Sequence, residues 1–142
     1  MSKVLSYCIL LAVAGSLLLA HPLMAVDGIK GNLVSVHWLE KNLKNADLMI
    51  LDATSAESYA AKHIPGAVNA PFAVVNIPFG MQEMTVADVE KLYRSTGISS
   101  GKKIVMYDQG GDNDATRLFF SLYYHGLPAK DLFILDGGLS KW

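Results

Sequence analysis

The stretch that decides the fold reads Lys-His-Ile-Pro-Gly-Ala-Val-Asn-Ala-Pro and occupies residues 62–71. Its Pro65-Gly66 pair predicts a tight turn, because proline presets φ and glycine tolerates the left-handed region. Before it come a short apolar strand ending in an acid, Leu48 to Asp52, and a small helix carrying Tyr59. Ala67 to Ala70 predicts a second short strand after the turn. The stretch therefore lies inside an alternation of strands and helices.

The same alternation continues through the rest of the chain. Leu48 to Leu51 is a continuous apolar run, as expected for a parallel strand covered on both faces. Capping residues and apolar periodicity predict helices at 37–44, 55–61, 85–96 and 112–125, and further strands at 103–107 and 132–135. Short connections between these elements indicate an α/β domain with a mostly parallel sheet flanked by helices.

Two motifs resemble the rhodanese-like sulfurtransferases. The first is the order strand, Asp52, Tyr59 and then His-Ile-Pro-Gly-Ala, which leads into the next strand. The second is Leu-Asp-Gly-Gly-Leu-Ser-Lys-Trp at residues 135–142, similar to the final strand of that family and the Gly-Gly turn leading to a tryptophan. The motifs stand in the right order and bracket residues 33–142. The resemblance implies the rhodanese-like fold.

The resemblance also points to one loop as the active-site equivalent. This loop follows the strand at 103–107 and consists of Asp108, Gln109, Gly110, Gly111, Asp112 and Asn113. In the family its first residue is the cysteine that carries sulfur as a persulfide, and here that position holds Asp108. A carboxylate cannot form a persulfide, and the acids of the loop would repel anionic thiosulfate. We therefore expect no catalytic residue in this chain.

Plainer roles are expected for the remaining polar residues. Asp112 and Asp114 suit the start of the following helix, as caps. Asp108, Asp112 and Asp114 could alternatively hold a divalent cation, but their spacing matches no complete calcium loop. We expect no metal and no cofactor. We expect the His63 ring to bond backbone in its turn, and Asp52 or Thr54 to cap the turn that follows its strand.

The helix after the loop carries one cation and several aromatic side chains. Arg117 lies one turn into this helix, where we expect it to pair with a loop carboxylate. An apolar helix buried on two sides would place its aromatic residues in the core. That interpretation covers Phe119, Phe120, Tyr123 and Tyr124.

Residues 1–25 read as a secretory signal peptide. Lys3 supplies a positive start, and the apolar run from Leu5 to Ala20 is shorter than the roughly 20 residues needed to span a membrane. Cleavage is expected after Ala25, or alternatively after Ala20. The domain would occupy residues 26–142 and be exported, periplasmic or secreted, without stable membrane insertion after cleavage. The chain has one cysteine, Cys8, which lies in the signal.

The charge of the chain argues against nucleic-acid binding. It has twelve Lys and Arg against 13 Asp and Glu, and no basic cluster that could bind a phosphate backbone. The resemblance implies the non-catalytic, N-terminal domain of a two-domain thiosulfate or 3-mercaptopyruvate sulfurtransferase. Such an enzyme passes sulfane sulfur to a thiophilic acceptor such as cyanide. The partner would be a missing C-terminal domain that carries the cysteine, with this domain truncated at its own C-terminal end. The alternative is a stand-alone Cys-less binding module.

Overall fold

The computed structural model of this chain describes residues 29–71 and 85–142. The predicted signal peptide at 1–25 lies outside the described residues. Five α-helices are described, α1 Val36–Asn42, α2 Ala56–Ala61, α3 Val86–Thr96, α4 Asp114–Tyr124 and α5 Gly138–Lys141. Six strands accompany them, β1 Ile29–Lys30, β2 Leu33–Val34, β3 Leu48–Asp52, β4 Val68–Asn69, β5 Lys103–Tyr107 and β6 Leu132–Leu135.

The strands form one sheet in the order β1-β2-β6-β5-β3-β4. β1 is antiparallel to β2, and every other pairing is parallel. The predicted α/β fold with a mostly parallel sheet is therefore confirmed. β1 and β2 were not predicted, because a strand of two residues shows no periodic pattern. β4 is equally short and was predicted only because it follows the Pro65-Gly66 turn.

Two apolar clusters cover the two faces of the sheet. Successive residues of a strand point to opposite faces, so β3 and β5 each contribute to both clusters. Helices α3 and α4 complete one cluster, which contains Val89, Leu92, Leu118 and Leu122. Helices α1 and α5 complete the other, which also contains Ile64 from the turn after α2. The sheet is thus covered on both sides, which explains the continuous apolar run of β3.

Three of the four predicted helix starts are confirmed by side-chain caps. Ser35 accepts a hydrogen bond from the backbone of Trp38, and Ser55 accepts one from the backbone of Ser58. Thr85 and Asp88 form a capping box at the start of α3. Within the described residues, no helix has both the length and the apolar character needed to cross a membrane.

The prediction that the α4 aromatics belong to the core is wrong for three of the four. Phe119 packs against the α3–α4 cluster. Phe120, Tyr123 and Tyr124 are 49%, 52% and 66% exposed. The physical reason is that α4 is buried along one stripe, through Ala115, Leu118 and Leu122, and no described element covers its outer side.

Candidate functional site

The loop at residues 108–113 lies at the carboxyl ends of the parallel strands. Asp52 ends β3 and is the register partner of Tyr107, which ends β5. β6 runs parallel to β5 on its other side, so the turn after Leu135 reaches the same edge. Ligand sites in open α/β sheets form at this edge. The two motifs of the sequence therefore meet here.

Asp108 is buried, and its carboxylate is fully engaged by backbone. It exposes 6% of its surface. Oδ1 accepts a hydrogen bond from the Gly110 N–H at 2.9 Å, and Oδ2 accepts one from the Ala115 N–H at 3.1 Å. Ala115 is in the first turn of α4, whose N–H groups have no partner within the helix. The carboxylate of Asp108 thus occupies the N-terminus of α4, where an anion could otherwise bind.

This geometry corrects the prediction that Asp112 and Asp114 cap the helix. The N-cap residue is Asn113, at φ −118° and ψ 8°, and its own side chain makes no cap hydrogen bond. Asn113 is not in the extended conformation that usually aims an N-cap side chain at the first turn. Asp108 reaches the helix instead from seven residues before Ala115, because the loop folds back on itself.

The loop is held against the turn that follows β6. The Leu139 N–H donates to the Asp108 carbonyl at 2.8 Å, and the Ser140 N–H donates to the Gln109 carbonyl at 2.9 Å. The Ser140 hydroxyl also donates to the Gln109 carbonyl. Gly110 has φ +95°, and a Cβ there would lie 2.3 Å from the Gly137 carbonyl oxygen. The motif at residues 135–142 therefore fixes the backbone of the loop at residues 108–113.

The rim of the loop is acidic. Burial raises the pKa of Asp114 above its ordinary value, and the carboxylates of Asp108 and Asp112 raise it further. Arg117 lowers the same pKa and so offsets part of that rise. The charge of Arg117 therefore acts on a carboxylate beside the loop. Across the described ranges, no group of three or more His, Cys, Asp or Glu side chains could hold a metal ion.

The space beside the loop is small. A depression of about 150 Å³ lies between the loop and the Gly137–Gly138 turn. Small-molecule sites usually enclose about 300–1,000 Å³. Of the six loop residues, Gly111, Asp112 and Asn113 are exposed, whereas Asp108 is buried beneath them. The loop therefore presents an acidic surface rather than a formed pocket.

A second polar cluster lies beneath the same edge. Oδ1 of the buried Asp52 accepts a hydrogen bond from the Thr54 N–H at 2.8 Å, so Asp52 caps its turn as predicted. The hydroxyl of Tyr107 accepts the Ile64 N–H at 3.0 Å. Burial raises the pKa of Tyr107, and the nearby Asp52 carboxylate raises it further. Oδ2 of Asp52 is buried and has no hydrogen-bond partner among the described residues.

The His-Ile-Pro-Gly-Ala turn is tied to backbone, as predicted for His63. Its Nδ1 lies 2.8 Å from the Tyr59 carbonyl, and the two rings stack with their centroids 4.1 Å apart. The Tyr59 hydroxyl donates to the Ala67 carbonyl at 2.7 Å. These residues shape the turn between α2 and β4 and leave His63 exposed.

Sequence reasoning missed two residues of this edge, Tyr107 and Ser140. Tyr107 is the last residue of an apolar strand, so the pattern predicts a core side chain and assigns no role to its hydroxyl. Ser140 follows the Gly-Gly turn, and only the fold brings it to Gln109. A polar atom at the carboxyl end of a buried strand was the one available signal for Tyr107.

A family model described as the rhodanese-like domain matches residues 35–142. A thiosulfate/3-mercaptopyruvate sulfurtransferase of Arabidopsis thaliana, the mitochondrial protein 1, is 30% identical over 125 residues, covering 77% of this chain and 31% of the relative. The 3-mercaptopyruvate sulfurtransferase of Escherichia coli is 26% identical over 124 residues, covering 77% of this chain and 43% of the relative. The chain spans less than half the length of the curated relatives it matches.

Solved structures show the same fold. The crystal structure of SseA from Escherichia coli, a 3-mercaptopyruvate sulfotransferase by its description, superposes with a TM-score of 0.68 at 25% identity. The match covers 80% of this chain and 48% of that chain. The crystal structure of YnjE superposes with a TM-score of 0.67 at 23% identity, over 78% of this chain and 28% of that chain. This likeness supports the fold alone.

Proposed function

Because this chain belongs to the rhodanese-like family, we propose that it is the non-catalytic domain of an exported sulfurtransferase. The parent enzyme would move sulfane sulfur from thiosulfate or 3-mercaptopyruvate to a thiophilic acceptor such as cyanide. The observation that carries the proposal is the state of Asp108. It stands at the position that the resemblance assigns to the sulfur-carrying cysteine, and it is buried with both carboxylate oxygens bonded to backbone N–H groups.

The chemistry of sulfur transfer supports this assignment. A thiolate attacks the transferable sulfur of the donor and forms a persulfide as sulfite leaves thiosulfate, or pyruvate leaves 3-mercaptopyruvate. The acceptor then attacks the outer sulfur, so that cyanide becomes thiocyanate and the thiolate is regenerated. Backbone N–H groups and a helix N-terminus assist by lowering the pKa of the thiol. Here the N–H groups of Gly110 and Ala115 already bond the Asp108 carboxylate, which has no sulfur to exchange. The loop would therefore have a structural role and take no part in sulfur transfer.

The charges around the loop argue in the same direction. Thiosulfate and 3-mercaptopyruvate are anions, whereas Asp112 belongs to the loop and Asp114 lies beside it. The raised pKa of Asp114 reflects burial together with repulsion from its neighbouring carboxylates. Like charges at short range disfavour a second anion. A sulfur donor would therefore be repelled before it met any reactive group.

The catalytic cysteine would then lie in a further domain of the parent. The relatives are more than twice as long as the part that this chain matches. We propose that this chain is the N-terminal half and that residues 1–25 direct export. The partner would be a C-terminal rhodanese domain of the same parent chain.

The test begins with the reading frame beyond the Trp142 codon. We expect a second rhodanese-like repeat whose loop contains a cysteine, and thiosulfate:cyanide turnover by the parent but not by this chain alone. In the parent, replacing that cysteine with serine should reduce turnover to background, whereas Asp108→Asn should leave it within a few-fold. Turnover by this chain alone would contradict the proposal. A stop codon after Trp142 would favour the stand-alone binding module instead.

A further inference from the structure

The outer side of α4 carries an aromatic face made of Phe120, Tyr123 and Tyr124. All three are among the exposed large hydrophobic residues of the described part of the chain. The rings of Phe120 and Tyr124 stack with centroids 6.0 Å apart and planes 25° apart. Residues three and four apart share one side of a helix, so these side chains form a continuous ridge. Such a ridge in water is unfavourable unless something covers it.

The sequence around this ridge has the composition of an interface centre. Residues 115–129 contain no Asp, no Glu and no Lys, and their charged residues are limited to Arg117 and the titratable His125. Interface centres are enriched in tyrosine, phenylalanine and arginine and depleted in lysine, aspartate and glutamate. Tyrosine and arginine are also over-represented among the residues that dominate binding energy.

Helix α3 provides an internal comparison. It packs on the same side of the sheet as α4 and has the same length of 11 residues. Its outer side carries Glu90, Lys91 and Arg94, and the Arg94 guanidinium pairs with Glu90 at 3.2 Å. Mixed charges of this kind suit a solvent-facing helix. Two neighbouring helices thus have different outer surfaces, and only that of α4 is aromatic.

We propose that the aromatic face of α4 is the docking surface for the second domain of the parent sulfurtransferase. This inference rests on the proposed function and identifies the surface that the partner would use. The length of the relatives argues for this occupant, since more than half of each relative lies outside the part that this chain matches. A domain of the same chain is present at high effective concentration, so a modest patch suffices to hold it.

The size of the patch is consistent with that role. An aromatic side chain buries 150–250 Å², so the exposed parts of three rings offer on the order of 300 Å². A stable interface buries about 800 Å² on each partner. The aromatic face would therefore form the centre of the contact, with the polar residues of α4 as its rim.

The experiment compares this chain with the full-length parent. Tetranitromethane nitrates accessible tyrosines, and mass spectrometry gives the rate at Tyr123 and Tyr124. We expect nitration of both to be at least tenfold slower in the parent than in this chain. In the parent, the F120S/Y124S double variant should accelerate proteolysis between the domains at least tenfold. Val86→Ser is the matched control, because Val86 on α3 is 66% exposed, as Tyr124 is, and it should change the rate less than twofold.

The other outcomes separate the two proposals. Equal nitration rates in the chain and in a two-domain parent would overturn this inference and leave the proposed function intact. A stop codon after Trp142 would overturn both. Concentration-dependent protection of this chain alone, with twice its mass in sedimentation, would assign the face to a second copy. Protection only by lipid vesicles would assign it to a membrane. Either result would also overturn the inference.

Discussion

Gly138 lies directly against the backbone of Gly110: a Cβ on Gly138 would stand 2.6 Å from the Gly110 nitrogen and 2.6 Å from the Asp108 carbonyl oxygen. The contact joins the start of α5 to the loop after β5. Backbone on both sides leaves no flexible side chain that could move away. The motif at residues 135–142 and the loop at residues 108–113 are therefore one structural unit at the carboxyl edge of the sheet.

Gly138→Ala should destabilise the protein strongly. The new methyl group would push against backbone atoms of two elements, and overpacking of this kind costs about 1–3 kcal/mol. Gly101→Ala is the control, because Gly101 also has a positive φ, +86°, but its Cβ would meet nothing within 4 Å. Urea unfolding should show the Gly138 variant to be less stable than the Gly101 variant by about that amount. Equal losses would mean that backbone conformation alone sets the requirement for glycine.

Asp108→Ala should cost more stability than Asp112→Ala. Removing the Asp108 carboxylate leaves the N–H groups of Gly110 and Ala115 without their acceptors, and a buried unpaired group costs about 1–3 kcal/mol. Asp112 is exposed and makes no helix cap, so its replacement should stay within about 0.5 kcal/mol. Thermal unfolding of both variants at pH 7 measures the difference. A larger loss for Asp112→Ala would restore the sequence-based prediction that Asp112 is a cap.

Tyr107→Phe should destabilise the protein at neutral pH and less so in alkali. The Ile64 N–H would lose its acceptor, at a cost of about 1–3 kcal/mol. Burial, followed by the Asp52 carboxylate, raises the pKa of Tyr107 in the folded protein. An unfolded tyrosine ionises near pH 10, so the wild-type protein loses stability as the pH rises above about 10 toward the higher folded value. The phenylalanine variant lacks this loss.

The stability difference between wild type and Tyr107→Phe should therefore shrink above about pH 10. Urea unfolding at several pH values between 7 and 11 measures it. Absorbance at 295 nm follows tyrosine ionisation in the same samples. A difference that stays constant through pH 11 would show that the Tyr107 hydroxyl titrates normally in the folded protein.

Asp108→Cys should not make this chain an active sulfurtransferase. The new thiol would stand next to Asp112 and Asp114, and nearby carboxylates raise a thiol pKa and repel an anionic donor. We expect thiosulfate:cyanide turnover at background. The D108C/D112N/D114N variant should show a lower thiol pKa, measured from the pH dependence of alkylation. Substantial turnover by Asp108→Cys alone would show that the acidic rim does not control the loop.

The sequence predicts the elements of this domain well because their signals are local. Ser35, Ser55 and Thr85 cap the helices where their side chains suggest, since a cap needs only the next few residues. The apolar run of β3 likewise reports burial on both faces. The placement of Asp52 and His63 against nearby backbone follows from the same short-range logic.

The candidate site is predicted less well because its contacts are not local. Asp112 and Asp114 are nearer to the helix start in sequence, yet the carboxylate that accepts the Ala115 N–H is that of Asp108. The Gly138 contact with Gly110 joins residues from different elements, which no spacing reveals. Phe120 and Tyr124 point outward, so an apolar composition alone does not predict burial. An apolar residue is buried only when another element covers that side of the helix.

The carboxylate of Asp108 also has a consequence for exposure to oxidants. A cysteine at this position would be open to sulfenic acid formation or mixed disulfides in an oxidising compartment. The chain has a single cysteine, Cys8, so residues 26–142 contain no thiol at all. Peroxide, thiol reductants and thiol–disulfide exchange should leave the loop chemically unchanged. Under the proposed assignment, the loop position that would carry sulfur holds a side chain that neither oxidants nor reductants modify.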